Sequence, residues 1–363
     1  MKIRAGDPVP WFSLPSTDNP NYAFHSVAGR YVLVAFLGSA ARPEAQAALS
    51  AVVAHRAAFD DETACFFGIS ADPTDRSEGR LQPSVPGIRH LFDVDGAVAR
   101  LVGVVTKADD GAEFYRPAWM LLDPMLRVIE TRPLAEAEAI LARLRALPPP
   151  EAHGGTDIPP PVLVLPRILE PALCRALIAH YEAQGGAPSG FMREVDGKTV
   201  GVFDPAMKRR KDCSIEDAAL RAAVRDRVLR RIVPELRKVH HFDATRMERY
   251  IVACYDSADQ GHFGAHRDNT TGGTAHRRFA VTINLNSEEF EGGELRFPEY
   301  GKRSWRAPTG GAVVFSCSLL HQALPVTKGV RYAFLPFLYD EAAARVREAN
   351  NAKLGEGLGA YRA

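Results

Sequence analysis

Residues 147–161 read LPPPEAHGGTDIPPP, and this stretch limits the fold more than any other. Proline fixes φ and has no N–H to donate, so neither a helix nor a central strand can run through such a segment. It is expected to act as a semi-stiff, partly extended linker over 148–161. The chain of 363 residues is also longer than one ordinary core can serve. Two domains are expected, 1–147 and 162–340, followed by a tail over 341–363. No internal repeat breaks this division.

Before the linker, strand-like and helix-like runs alternate. YVLVAFLG (31–38) and TACFFGISAD (63–72) read as buried strands, apolar and rich in β-formers. PEAQAALSAVVAHRAAFDD (43–61) reads as a helix opened by proline. WMLLDPMLRVIET (119–131) reads as a hairpin turning at Asp123-Pro124, and LAEAEAILARLRAL (134–147) as a closing amphipathic helix. This order predicts an α/β sandwich.

After the linker the texture changes. LEPALCRALIAHYEAQ (169–184) and IEDAALRAAVRDRVLRRIVPELRKVHHF (215–242) read as helices. From residue 246 short strands dominate, separated by glycine turns: RMERYIVACYD, RRFAVTINLN, GELRFPEY, GGAVVFSC and VRYAFLPFLYD. That spacing predicts a β-barrel or jelly roll resting on helices, with a short helix and a loose end after Asp340.

A formal charge of +1 leaves no electrostatic footprint for nucleic acid or an anionic membrane. No apolar run reaches bilayer length, and the start MKIRAGDPVPWFSLPS lacks a signal-peptide core. Five scattered cysteines (Cys65, Cys174, Cys213, Cys254, Cys317) form neither a disulfide framework nor a CxxC zinc pattern. A reducing cytoplasm is the expected compartment. Cys254 and Cys317 sit in apolar strands and read as packed thiols.

The chemistry lies in YDSADQGHFGAHRDNTTGG. Along a strand, residues i and i+2 share a face, so His266 and Asp268 can offer an imidazole and a carboxylate to one point. Further on, directly after the strand GGAVVFSCSLL, comes His321, and ten residues beyond it Arg331. Two histidines and one carboxylate suit non-haem iron with open coordination positions. His262, His276, His240 and His241 fall outside this pattern and read as surface or supporting residues.

FEGGELRFPEYGKRSWRAPTGGAVVFSCSLLHQALPVTKGVRYAFLPFLYD and the leading helix ILEPALCRALIAHYEA resemble the Fe(II)- and 2-oxoglutarate-dependent oxygenases, specifically the prolyl 4-hydroxylase-like group, over residues 162–340. The resemblance implies a double-stranded β-helix (jelly roll) with supporting helices. It implies Fe(II) at His266, Asp268 and His321. It implies 2-oxoglutarate with its distal carboxylate on Arg331, where many prolyl hydroxylases carry lysine. Tyr255 matches a cosubstrate-contacting tyrosine. Thr282 and Asn284, alternating on AVTINLN, are further candidates for cosubstrate contact or ordinary barrel positions. Dioxygen is the co-reactant, with ascorbate as an accessory reductant. The implied reaction hydroxylates an unactivated C–H bond and releases succinate and carbon dioxide. It is hydroxylation rather than halogenation, because Asp268 fills the position a halide would need.

GDPVPWFSLPSTDNP, YVLVAFLGSAARPEAQAAL, FFGISADP and YRPAWMLLDPMLRVIE resemble the peroxiredoxin branch of the thioredoxin fold, over about residues 3–147. Arg116 matches the arginine that flanks that family's active site. GSAARPEAQAALS lacks the peroxidatic cysteine, and Cys65 falls in a buried strand, where a thiol is inert. The expected roles of this α/β domain are therefore structural support, homodimer formation, or docking of a polypeptide near Ser39, Arg42 and Arg116. The expected substrate is a protein or peptide residue, with proline the favoured type. A small metabolite, or a catalytically idle binding or redox module, remains the alternative.

Overall fold

The run YVLVAFLG forms β1 (Tyr31–Gly38), the central strand of the first unit's sheet in the computed structural model. The structure describes residues 3–108 and 111–362; Met1, Lys2, Asp109, Asp110 and Ala363 lie outside the described residues. The chain forms two units: Met1–Pro159 with Pro298–Lys302, and Pro160–Phe297 with Arg303–Ala363. The proline-rich stretch thus falls mainly within the first unit, where Pro150–Ala152 make a short 3-10 turn. No helix among the described residues is long and apolar enough to cross a membrane.

In the first unit, β1 is followed by α1 (Pro43–Ala54), β2 (Ala64–Ser70), α2 (Pro73–Ser77), β3 (Ile88–Phe92), α3 (Ala97–Leu101), β4 (Ala118–Leu122), β5 (Val128–Pro133) and α4 (Ala137–Arg145). The sheet order is β3-β2-β1-β4-β5, parallel across β3-β2-β1 and antiparallel across β1-β4-β5. Parallel strands covered on both faces need apolar side chains throughout, which explains why β1 and β2 show no alternation. Helices α1 and α4 pack Ala45, Ala48, Val52, Ile140 and Leu141 onto Leu33, Phe66, Trp119 and Leu121. The indole N–H of Trp119 donates to the Leu134 carbonyl at 2.8 Å, so this fully buried ring leaves no orphan donor. Truncating it to alanine would cost roughly 3–5 kcal/mol. Helix α1 stops at Ala54, short of the expected Asp61. A 3-10 turn at Arg56–Ala58 follows, and buried Phe59 then leads the chain back to the sheet. This is a thioredoxin-like α/β arrangement.

At the end of β1 the chain enters a polar knot. The Ser39 hydroxyl donates to Asp72 Oδ2 at 2.6 Å and the Ala40 N–H to Asp75 Oδ2 at 2.7 Å. Asp75, fully buried, also accepts from the Ser70 hydroxyl at 2.5 Å and from Arg80 at 2.8 Å. Cys65 lies inside β2, and burial pushes its thiol up to about 12. Arg42 and Arg116 are exposed.

The second unit is built on two sheets. Its elements are β6 (Leu163–Leu165), α5 (Pro171–Gln184), β7 (Ala187–Pro188), the hairpin β8 (Phe191–Val195) and β9 (Lys198–Val202), β10 (Lys208–Arg209) and β11 (Lys211–Ser214). Then follow α6 (Ala218–Arg231), α7 (Val233–His240), β12 (Arg246–Glu248), β13 (Ile251–Asp256), β14 (His262–His266), β15 (Phe279–Asn284), β16 (Leu295–Arg296) and β17 (Ser304–Trp305). The chain closes with β18 (Ala312–Ser316), β19 (His321–Ala323), β20 (Val330–Phe334), β21 (Phe337–Tyr339) and α8 (Glu341–Ala349). The larger sheet runs β6-β18-β15-β20-β13-β11-β7, with β21 joining β12 to β15; the smaller runs β10-β14-β19-β16-β17. These mostly antiparallel sheets form the jelly roll.

Alternation along the larger sheet sorts its side chains. Val252, Cys254, Phe279, Val281, Ile283, Val314 and Phe334 join Leu177, Val224, Val228, Ile232 and Leu236 of the helices in one core. Their neighbours Tyr255, Ala280, Thr282, Phe315 and Arg331 line a cavity. The helix expected over 215–242 is two helices: Pro234 in the first turn of α7 cannot donate to an earlier carbonyl, and the axis breaks at Ile232. Nor is the end after α8 loose. Tyr361 and Asn351 exchange hydrogen bonds of 2.7 and 2.9 Å, and Leu354 bridges to Thr199 on β9.

Candidate metal and cosubstrate site

Strand β14 ends on His266 and β19 begins on His321, and the two residues are directly paired across the smaller sheet. Their rings therefore lie side by side, with centroids 4.3 Å apart. Asp268 lies just past the end of β14 rather than within it. Its N–H donates to the Cys317 carbonyl at 3.0 Å, which extends the strand's path and keeps the carboxylate on the histidines' side. Asp268 Oδ1 is 3.5 Å from His266 Nε2, and Oδ2 is 3.3 Å from His321 Nε2. One donor atom from each residue falls within 4.8 Å of the other two, the only such group among the described residues.

The imidazoles are oriented from behind. His266 Nδ1 lies 2.8 Å from the Gly264 carbonyl and His321 Nδ1 3.0 Å from the Leu319 carbonyl. A carbonyl accepts only, so each Nδ1 carries the proton and each Nε2 offers its lone pair to the centre. Phe263 stacks on His266, and Phe315 meets His321 edge-on at 4.6 Å. Burial, reinforced by His266, pushes His321 down to about 4, which favours the neutral, ligating form. Burial works against ionisation of Asp268, but His321 and His266 outweigh it and hold the carboxyl well below the usual range. Two imidazoles and one carboxylate suit a divalent metal such as iron and leave part of its coordination sphere open.

Arg331 projects from β20 into the same cavity and is only 2% exposed. It pairs across the sheet with Tyr255, and its guanidinium carbon lies 4.8 Å from that ring's centroid. Its Nε–H donates to Asn284 Oδ1 at 3.2 Å. Gly293 lies close by at φ +70°, and a Cβ there would come within 3.0 Å of Arg331 Cδ and 2.9 Å of Val326. Burial lowers the Arg331 pKa. A buried guanidinium facing a small cavity suits a carboxylate.

Of the residues singled out from sequence, His266, Asp268, His321, Arg331, Tyr255 and Thr282 line this one cavity. Asn284 does not. It lies at the end of β15, where its Nδ2 donates to the Ala307 carbonyl at 3.1 Å and its Oδ1 steadies Arg331. His262 is turned to the Gln260 and Ala206 carbonyls. His276 is not on the surface: it is buried, 3.2 Å from Glu248, which also binds Arg277 at 2.7 Å and Arg347 at 2.9 Å. His240 packs near Phe279, and His241 is the left-handed residue that ends α7.

Sequence reasoning missed Arg210 and Arg249, which line the same cavity. Arg210 donates to the Tyr255 hydroxyl at 3.2 Å and to Asp212 Oδ2 at 2.7 Å. Arg249 donates to the same Asp212 oxygen at 2.9 Å. Lys208 lies beside them with its ammonium 4.7 Å from the Phe263 ring centroid, donating to the Ser189 hydroxyl at 2.8 Å. Burial, with Arg210 adding to it, pushes Lys208 down to about 6. The string Lys208–Asp212 reads as a solvated basic run. Its only signal was the spacing of Lys208, Arg210 and Asp212 two residues apart.

The 2OG-Fe(II) oxygenase superfamily matches residues 250–339, which hold the whole triad and Arg331. The AhpC/TSA family matches residues 5–131. A PKHD-type hydroxylase of Paraburkholderia phymatum is 27% identical over 182 residues, 47% of this chain and 75% of that protein. A PKHD-type hydroxylase of Azoarcus sp. is 33% identical over 105 residues, 27% of this chain and 44% of that protein. Among solved structures, viral collagen prolyl hydroxylase from Paramecium Bursaria Chlorella virus-1 is 17% identical, covering 49% of this chain and 94% of its own, with a TM-score of 0.37. Peroxidoxin BcpB from Mycobacterium tuberculosis is 22% identical, covering 40% and 99%, with a TM-score of 0.34. The chain therefore joins a first domain of the AhpC/TSA family to a second domain of the 2OG-Fe(II) oxygenase superfamily, and its enzyme class is that of the 2-oxoglutarate-dependent oxygenases.

Proposed function

We propose that the second domain is a hydroxylase in which His266, Asp268 and His321 hold Fe(II) and Arg331 anchors 2-oxoglutarate. The observation that carries this reading is the convergence of the triad and a buried arginine on one cavity. When bound, the iron with 2-oxoglutarate and dioxygen supplies the oxidising power that puts one oxygen atom into a C–H bond and the other into succinate, with loss of carbon dioxide.

The chain's own residues bind and orient. Arg331 pairs with the distal carboxylate, and Asn284 fixes the arginine's direction. Tyr255 stands between the Arg331 and Arg210 guanidiniums and can donate its hydroxyl proton to a cosubstrate oxygen. Thr282 borders the same space. Phe263, Phe315, Phe337 and Ala280 form the apolar part of the wall and exclude water from the reacting centre.

The PKHD-type hydroxylase relatives support hydroxylation. The favoured target is a protein or peptide residue, proline first, with a small metabolite as the alternative. The test is metal analysis and succinate release by the full chain. One Fe(II) per chain and 2-oxoglutarate-dependent succinate are expected, both lost in His266→Ala and in His321→Ala, together with a 16 Da gain on the substrate. Normal iron content and turnover in both variants would sink the site.

A further inference from the structure

We propose that the substrate of this oxygenase presents a carboxylate to Arg249; the assignment names a substrate class and rests on the functional reading above. Fe(II) and Arg331 together match Asp268 and the two charges of 2-oxoglutarate, so that part of the cavity is balanced when loaded. Beside it, Arg210 and Arg249 share one carboxylate, Asp212. Glu248 offers no spare charge to this corner, because it already binds Arg277 at 2.7 Å and Arg347 at 2.9 Å. One positive charge on the cavity wall is left without an anion even if Lys208 is neutral. Buried charges are costly unless paired, so a partner is to be expected from the ligand.

Arg249 is the member with capacity to take it. Arg210 is 8% exposed and already serves Tyr255, Ser189 and Asp212. Arg249 gives one hydrogen bond among the described residues, its side chain is 29% exposed, and its guanidinium lies 5.7 Å from the centroid of Phe337 on the cavity wall. Its planar fork therefore has donors to spare, and a carboxylate is the anion that such a fork takes in a bidentate pair with one charge on each side. A phosphate would bring more negative charge than this corner lacks.

The backbone adds a second observation. Arg249 falls between β12 and β13 at φ 65°, a left-handed conformation that is unfavourable for a residue with a Cβ. Glycine or asparagine would turn the chain there more cheaply. The turn instead holds an arginine and aims it at Asp212 and the cavity. Burial, with Arg210 adding to it, pulls the Arg249 pKa down to about 10 in spite of Asp212 and Glu248.

The experiment uses the full chain with Fe(II) and fresh 2-oxoglutarate. A cognate cell extract is divided into small-molecule and protein fractions. Each is tested untreated and after carbodiimide-driven amidation of its carboxylates. One untreated fraction should raise succinate release above the substrate-free rate, and amidation should cut that stimulation about tenfold or more. The active fraction tells whether the carboxylate belongs to a small acid or to a polypeptide. Arg249→Gln should lower kcat/KM for that fraction about tenfold, with Arg249→Lys in between. Equal stimulation by the amidated fraction overturns the proposal.

A second measurement needs no turnover. With Mn(II) and 2-oxoglutarate present, N-acetylglycine should slow phenylglyoxal labelling of Arg249 about threefold, read by peptide mass spectrometry, and N-acetylglycinamide should not. Equal labelling with both overturns the carboxylate site. Protection without any succinate production keeps the anion site and refutes the hydroxylase reading instead.

Discussion

Replacing Arg331 with alanine should raise the KM for 2-oxoglutarate steeply. The side chain is 2% exposed, so the carboxylate it meets is largely out of water and loses its charge partner outright. Truncating one member of a buried, hydrogen-bonded charge pair costs roughly 2–5 kcal/mol. At about 1.4 kcal/mol per decade, that is about thirtyfold to several thousandfold. The lower part of that range applies here, because Arg210 and the Tyr255 hydroxyl stay within the same wall and can hold part of the charge. A rise of about thirty- to a hundredfold is expected, with a smaller fall in kcat. Asn284 loses its bond to the guanidinium as well, a further cost to folding of about 1 kcal/mol. Arg331→Lys keeps a point charge but not the fork and should stay within about tenfold of the wild type. KM is read from succinate release, and affinity from calorimetry on the Mn(II)-loaded protein. If the alanine variant folds and its KM moves less than about threefold, the reasoning fails and another cation, such as Arg210, Arg278 or Arg296, holds the cosubstrate.

Other perturbations test other parts of the structure. Gly293→Ala should press a methyl group on Arg331 Cδ and strain a backbone at φ +70°, raising the KM for 2-oxoglutarate while iron content stays that of the wild type; an unchanged KM in the folded variant would count against the placement of Arg331. His90 is buried beside Phe66, and burial pushes it down from 6.5 to about 4. Between those values the unfolded chain takes up a proton that the folded chain refuses. The first domain should therefore lose up to about 3 kcal/mol as pH falls from 6.5 to 4, a slope that His90→Gln removes. Hydrogen exchange of β2 and β3 amides would show it, and identical slopes in both proteins would refute it. Cys65→Ser should leave peroxide consumption with a thiol reductant at the uncatalysed rate of the wild type; a thiol peroxidase activity that this change abolishes would mean that the buried thiol reacts after all.

What the sequence disclosed and what it hid follow the same physical rule. Alternation is readable wherever a strand is regular, so Thr282 could be assigned to a face from its neighbours alone, whereas Tyr255 and Arg331 are named by the resemblance to the oxygenases. Asn284 shares the face of Thr282, yet it sits where the strand ends beneath Arg331, and it acts on the arginine instead of the cavity. Arg210 lies between β10 and β11, and Arg249 between β12 and β13. Both sit where the period of two is interrupted, and their meeting depends on Asp212, which is far from Arg249 in sequence. Helix propensity carried the reading of 215–242 across Pro234, whose missing N–H breaks it. The end of the chain, alanine-rich and charged, has no local pattern at all; its order comes from contacts with residues such as Thr199.

The polar knot at the end of β1 bears on the history of the first domain. Serine differs from cysteine by one side-chain atom, so a thiol at Ser39 is a single substitution away. Here Ser39, Ala40, Ser70, Asp72, Asp75 and Arg80 have been joined into one hydrogen-bonded unit around that strand end. A cysteine at position 39 would meet the carboxylate of Asp72, which disfavours the thiolate that peroxide chemistry needs. Removing the aspartates to clear its way would strip the cap from α2 and leave the buried Ala40 N–H without its acceptor. Each step toward a working thiol at this strand end lowers stability before it adds any reactivity, so the knot works as a ratchet against thiol chemistry in this domain.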